Sequence, residues 1–235
     1  MAVCTFAAHC SRGLPEKWGQ FFRVYERASG QRLKAAFSTK EYILKEIEQT
    51  LNFIVEIEKL KDVRRKTKPV GLERFENSAE HSWHVCLAAL VLKDFANEAI
   101  DIDRVIKMLL IHDLGEIDAG DTIIYASESA ELKAEEEAGL ERILNMLPEG
   151  KTQEYLQLWR EFEEGSSADA KYAKSIDRIP PILHNLHGGG HSWKQHSIPE
   201  EKILALNSRI KLGSESVWHV IKSKLDDAFR NGILK

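Results

Sequence analysis

The stretch "MLLIHDLGEIDAGD", Met108–Asp121, constrains the fold more than any other part of the chain. An apolar run ends abruptly in one imidazole and four carboxylates: His112, Asp113, Glu116, Asp118 and Asp121. Apolar segments of this kind are buried, and buried charge is stable only when it is paired or bound to a metal. The fold must therefore bring partners to this point from elsewhere in the sequence.

The periodicity around it is helical throughout. Ile43, Ile47, Leu51, Ile54 and Ile57 recur at helical spacing after "STKE", which fits a capping box at Ser38–Glu41. Asn77-Ser78-Ala79-Glu80 can cap a second helix running to about Asn97, and Asp103 can cap a third ending near Asp113. In that third helix Ile106, Leu109 and Leu110 share a face with Asp113, and the apolar character nearly all round places it centrally. Further helices are expected over 128–147, 152–164, from Ser167 through Ile179 to a disturbance at Pro180-Pro181, over 199–210 and over 214–229. The basic segment Lys61–Phe75 and "HGGGHSWKQHSIP" read as loops. There is no period-2 strand pattern, internal repeat or low-complexity tract. The expected fold is an all-α, single-domain helical bundle over residues 38–235.

Composition narrows the function classes. A net charge of −4 gives no nucleic-acid-coating surface, and no apolar run reaches the length of a membrane span. Three cysteines, Cys4, Cys10 and Cys86, without a CxxC pair, argue against a disulfide framework or a zinc ribbon and fit reduced thiols in the cytoplasm. Residues 1–37 are basic and poor in acids. They read as an extension laid beside the domain, with an organelle-targeting role as the lesser alternative.

Three widely separated positions carry the chemistry. His81 starts a core-facing stripe with Val85, Ala88 and Leu92; alone it reads as a satisfied core histidine. Asp113 stands at the inner end of a buried helix and needs a strong partner. Asp177, in "AKSIDRI", borders an apolar helix stripe. Two histidines and two aspartates converging from three helices make a mixed N/O donor set for Mn²⁺, Fe²⁺, Co²⁺, Ni²⁺, Mg²⁺ or Zn²⁺. Two carboxylates balance a divalent charge, and open positions admit water whose pKa the ion lowers.

The strings "ENSAEHSWHV", "IHDLGEIDAGD" and "AKSIDRI", in this order and spacing, resemble the HD-domain metal-dependent phosphohydrolases, in particular the branch that includes the 5'-deoxynucleotidases. The resemblance covers about Lys40–Leu234. It implies an HD-type helical bundle in which His81, His112, Asp113 and Asp177 hold one divalent metal ion. It implies catalytic roles for Glu116, one turn beyond His112, and for Asp121: the first orients the nucleophilic water or transfers a proton, the second protonates the leaving oxygen. An arginine before the first histidine string would bind the substrate phosphate, with Arg64 or Arg65 placed for this and Arg74 in reserve. The aromatic neighbour that such an arginine often has is replaced here by Lys66 and Thr67.

The implied activity is hydrolysis of a small phosphomonoester, a nucleoside or deoxynucleoside 5'-monophosphate, by attack of a metal-bound water, with a homodimer as the implied assembly. Two alternatives stand beside it: a di-iron HD-type oxygenase, which needs additional histidines around the HD pair, and a non-catalytic metal-stabilised binding module. His84 is assigned to packing or to support behind the ligands, Asp118 to the surface or to such support, and His184, His187, His191 and His196 to a loop near the pocket mouth without a recognised zinc spacing.

Overall fold

The structure, a computed structural model, describes residues 30–125 and 130–234, with side chains from Lys40 onward. The chain divides into two units, Met1–Gln49 and Thr50–Lys235. The basic leader up to residue 29 lies outside the described residues, as does the start expected for a helix at 128.

Helix α1 spans Gly30–Glu56 and passes through Ser38–Glu41 without a break, so the capping box expected there does not start a helix. The stripe it carries is not an inner face: Ile47, Leu51 and Ile54 are about half exposed. A 3-10 turn, Ile57–Asp62, closes the segment.

The bundle proper begins with α2 (Ser78–Leu92). The expected capping box is present in both directions: the Asn77 side chain accepts from Glu80 N–H, and the Glu80 carboxylate accepts from Asn77 N–H. The helix stops at Leu92, short of Asn97, and passes into a 3-10 turn at Lys93–Phe95. Helix α3 (Ile102–Ile111) is capped by Asp101, not Asp103. The Asp101 carboxylate accepts from Asp103 and Arg104 N–H, which leaves Asp103 inside the first turn.

Val105, Met108 and Leu109 are fully buried, whereas Leu110 is 51% exposed. Helix α3 therefore has one polar-side edge and is not enclosed all round. It packs against α2, against α6 (Lys151–Glu164) and against α7 (Ala168–Asp177). Between α3 and α6 lie the short α4 (Glu116–Ala119) and α5 (Ala130–Leu144).

Helix α7 starts on a Ser167 cap, as expected, and ends at Asp177. Pro180 and Pro181 have no N–H to donate to the carbonyls of Ile176 and Asp177, so α7 cannot continue. The prolines do not merely disturb a helix. They sit in the first turn of a new one, α8 (Ile179–His187), where a missing donor costs nothing. The glycine-rich segment is likewise more ordered than a loop: α9 (His191–Gln195) follows directly. Helix α10 (Glu200–Asn207), a 3-10 turn (Ser208–Leu212) and α11 (Glu215–Arg230) complete the chain.

Among the described residues there is no β-strand, only an isolated antiparallel bridge between Arg64 and Asn77. That bridge has a consequence for the site. Arg65 N–H donates to Glu76 C=O, Glu76 N–H to Thr67 C=O and Ser78 N–H to Val63 C=O. The basic segment is thus folded back along the approach to α2.

Candidate metal centre and active site

His112 and Asp113 follow α3 immediately and occupy the turn before α4. Their position is fixed from behind. Trp159 of α6 donates its indole N–H to the His112 carbonyl at 3.1 Å, and the Phe162 ring meets the His112 ring edge-on at 5.3 Å. Gly115 lets the turn lie against α5, because a Cβ there would come within 2.3 Å of the Glu136 carbonyl oxygen. Gly120, with φ of +79°, then turns the chain so that Asp121 returns to the same place.

His81 enters from the first turns of α2 and Asp177 from the last residue of α7. His81 Nε2 lies 2.8 Å from Asp177 Oδ1. His112 Nε2 lies 3.1 Å from Asp113 Oδ1 and 3.4 Å from Asp177 Oδ1. One donor atom each from His81, His112 and Asp113 falls within 4.8 Å of the others. The four residues singled out in the sequence are therefore brought together. An aspartate at a helix C-terminus is unfavourable on its own. Burial also opposes its ionisation, but His112 and His81 hold the Asp177 carboxyl well below the ordinary carboxylate range.

The polarity of His112 is informative. Its Nδ1 is 2.8 Å from the Leu109 carbonyl, which can only accept, so Nδ1 carries the hydrogen. Nε2 then faces two carboxylate oxygens with no hydrogen bond of its own, although fully buried. A neutral imidazole would point a lone pair at two anions. The arrangement needs a proton or a cation at that point. Burial lowers the His112 pKa, but the Asp113 and Asp177 carboxylates outweigh it and push it up to about 9. The donor set, two imidazoles and two carboxylates, matches a first-row divalent ion in composition.

Around this cluster stand further groups. Arg65 Nη1 donates to Asp113 Oδ2 at 2.7 Å and lies 3.7 Å from Asp121 Oδ1. Burial works against its charge, but Asp113, Glu116, Asp121 and Asp177 raise its pKa and keep it cationic. Glu116 Oε2 accepts from Ser78 Oγ at 2.6 Å; burial and the charge of Asp113 push its carboxyl well above the usual range. Asp121 is also raised by burial, with Arg65 pulling the other way, and its Oδ2 is buried without a partner.

Of the two expected phosphate ligands, only Arg65 reaches the cluster. Arg64 is exposed and pairs there through its backbone alone. Successive side chains of an extended segment point to opposite sides, so adjacent arginines cannot both face inward. Arg74 is likewise outside, held by Glu80. Asp118 is on the surface, as expected, in an ion pair with Arg142.

Sequence reasoning missed two residues. Ser78 orients Glu116, and Glu76 stands behind His81 with Oε2 3.5 Å from Nδ1. Both lie inside the quoted string "ENSAEH"; the fold-back of residues 63–67, which buries Glu76, left no periodic signal.

Comparison with known proteins gives the family. Residues 57–218 match the family described as HD domain. A crystal structure of a predicted metal-dependent phosphohydrolase from Magnetospirillum magnetotacticum MS-1 is 39% identical, with a TM-score of 0.76, covering 81% of this chain and 98% of that one. The PH0347 protein from Pyrococcus horikoshii OT3 shares the fold at 23% identity and a TM-score of 0.55, covering 75% of this chain and 98% of that one.

Among curated proteins, human 5'-deoxynucleotidase HDDC2 is 32% identical over 114 residues, 48% of this chain and 54% of the relative. The bovine protein of the same name gives the same identity and coverage. The chain thus spans about half the length of the curated relatives it matches. It belongs to the HD-domain family, near the members named 5'-deoxynucleotidases.

Proposed function

We propose that the protein is a metal-dependent phosphomonoesterase acting on a nucleoside or deoxynucleoside 5'-monophosphate. One observation carries the reading: His81, His112, Asp113 and Asp177 meet in one buried cluster, and Arg65, Glu116 and Asp121 close around it. The similarity to a phosphohydrolase structure and to 5'-deoxynucleotidases supports the reaction class and the kind of substrate.

In this reading His81, His112, Asp113 and Asp177 hold one divalent ion. Such an ion supplies a Lewis acid for a phosphoryl oxygen and a nucleophile that is available near neutral pH. The remaining steps belong to the chain. Arg65, anchored on Asp113, presents the guanidinium that receives the substrate phosphate and balances its charge. Ser78 holds Glu116 in one orientation, and Glu116 takes the proton of the attacking water. Asp121 gives a proton to the leaving oxygen.

The buried walls supplied by Trp159 and Phe162 keep bulk water from the back of the cluster. The oxygenase alternative calls for more imidazoles around the HD pair. Among the described residues the group at the HD pair is His81, His112 and Asp113, and His84 and His184 fall in a separate group with Glu76.

Among the described residues no helix is long and apolar enough to cross a membrane. We place the protein in the cytoplasm as residues 38–235 of one HD domain with a basic extension. The test is a panel of nucleoside monophosphates and sugar phosphates with Mn²⁺, Co²⁺, Ni²⁺, Mg²⁺ and Zn²⁺, scored for phosphate release and oxygen uptake. Metal-dependent phosphate release from 5'-nucleotides without oxygen uptake is expected. Oxygen uptake without phosphate release would overturn the assignment.

A further inference from the structure

Behind His81 lies a second group of donors that the activity above does not use. Glu76 and His184 are buried, His84 is half-buried, and one donor atom from each falls within 4.8 Å of the others. They come from three separate places: the fold-back before α2, the second turn of α2 and the middle of α8. We propose that Glu76, His84 and His184 form a second cation site, for a borderline divalent ion of the zinc class, distinct from the His81–His112–Asp113–Asp177 set.

Three observations point to a ligand. His84 makes no hydrogen bond among the described residues; its ring centroid is about 6 Å from those of Trp83 and His184. His184 is 4% exposed; its Nδ1 lies 3.3 Å from Thr67 Oγ1 and 3.8 Å from Glu76 Oε2. A cavity of about 270 Å³, with Thr67, Lys68, Glu73, His187 and His191 on its wall, opens against His184. Another imidazole on that wall, His191, has its Nδ1 buried without a partner.

The chemistry suits the ion. Burial lowers the His184 pKa, so its imidazole is neutral and free to donate a lone pair. Two imidazoles and one carboxylate make a three-ligand set with a further position left for water. Ligands held tetrahedrally at about 2.1 Å from one zinc ion lie about 3.4 Å apart, so donors up to 4.8 Å apart close on the ion by a shift of about 1 Å. An ion there would tie the fold-back of residues 63–76 to α2 and α8.

The site does not depend on the phosphatase reading, and its test separates the two. The full chain is stripped with a chelator, reloaded with Zn²⁺, dialysed, and its metal content measured for wild type, His84→Ala and Asp177→Asn, with circular dichroism confirming helicity. His84→Ala should hold about one equivalent less zinc than wild type. Equal zinc in the two would overturn the second site, while the Asp177→Asn arm judges the first site alone. A measurement on wild type needs no variant: Zn²⁺ should protect His84 from diethyl pyrocarbonate, read by mass spectrometry. Modification at an unchanged rate with zinc bound would equally refute the proposal.

Discussion

At the scale of single residues, the cluster assigns different consequences to neighbouring side chains. The Glu116 carboxylate accepts from Ser78 Oγ at the edge of the cluster. Replacing Glu116 with Gln should leave bound metal unchanged and lower kcat by about 10²–10⁴, the range for loss of a general acid or base. Steady-state phosphate release beside metal analysis checks both halves, and unchanged turnover would remove Glu116 from the mechanism. Arg64 and Arg65 offer a sharper contrast, since one is exposed and the other joins Asp113. Arg64→Ala should leave kcat/KM within about twofold, whereas Arg65→Lys, which keeps the charge but loses the planar fork, should lower it about 10²-fold.

The sequence alone could not choose between these two arginines. The choice depends on the register of the Arg64–Asn77 bridge, which is set by tertiary pairing and leaves no local pattern. The ligand candidates were readable because buried charge needs a partner, and three such charges occurred in separate apolar contexts.

At the scale of elements, caps and prolines explain most of what could be read. Asn77 and Ser167 cap where the residue types say they should, because their side chains meet free N–H groups in any helix start. The Ser38 box failed because upstream residues carry the helix onward, and a cap needs a preceding non-helical residue. Asp101 displaced Asp103 for a related reason: both can cap, and only the backbone angle at 101, φ −90° and ψ 99°, is extended.

Two predictions belong at this scale. Asn77→Ala should destabilise the fold by about 1 kcal/mol in denaturant unfolding. It should also misplace His81, which begins one turn later. Cys86 sits between α2 and α3, and burial pushes its thiol up to about 11. The neutral thiol is favoured by folding, so this contribution is full below the unfolded pKa and is lost as pH rises through 11. In a Cys4→Ser, Cys10→Ser background, alkylation of the native protein should be negligible at pH 8 and rise only towards pH 11. Fast labelling at pH 8 would show that α2 and α3 part readily.

At the scale of the whole molecule, the all-α architecture was readable because 3.6-residue periodicity dominates every long segment. What could not be read was which apolar stripes face inward. Leu51 and Ile54 on α1, and Trp83, Leu87, Leu90 and Val91 on α2, repeat at helical spacing yet are exposed. Periodicity reports that a face is apolar and is silent on what covers it. The homodimer expected from the family resemblance has such a face available on α2. Replacing Leu87 and Val91 with Glu should turn a dimer into a monomer in sedimentation without loss of helicity; a sedimentation profile identical to wild type would exclude this face.

The measurement that bears most directly on the account is anomalous diffraction from crystals of the full chain grown with Mn²⁺ or Co²⁺. The account predicts a peak within coordination distance of His81, His112, Asp113 and Asp177 together, about 2.0–2.3 Å from each donor atom. A fully occupied ion elsewhere, with these four side chains left paired only with one another, would contradict it.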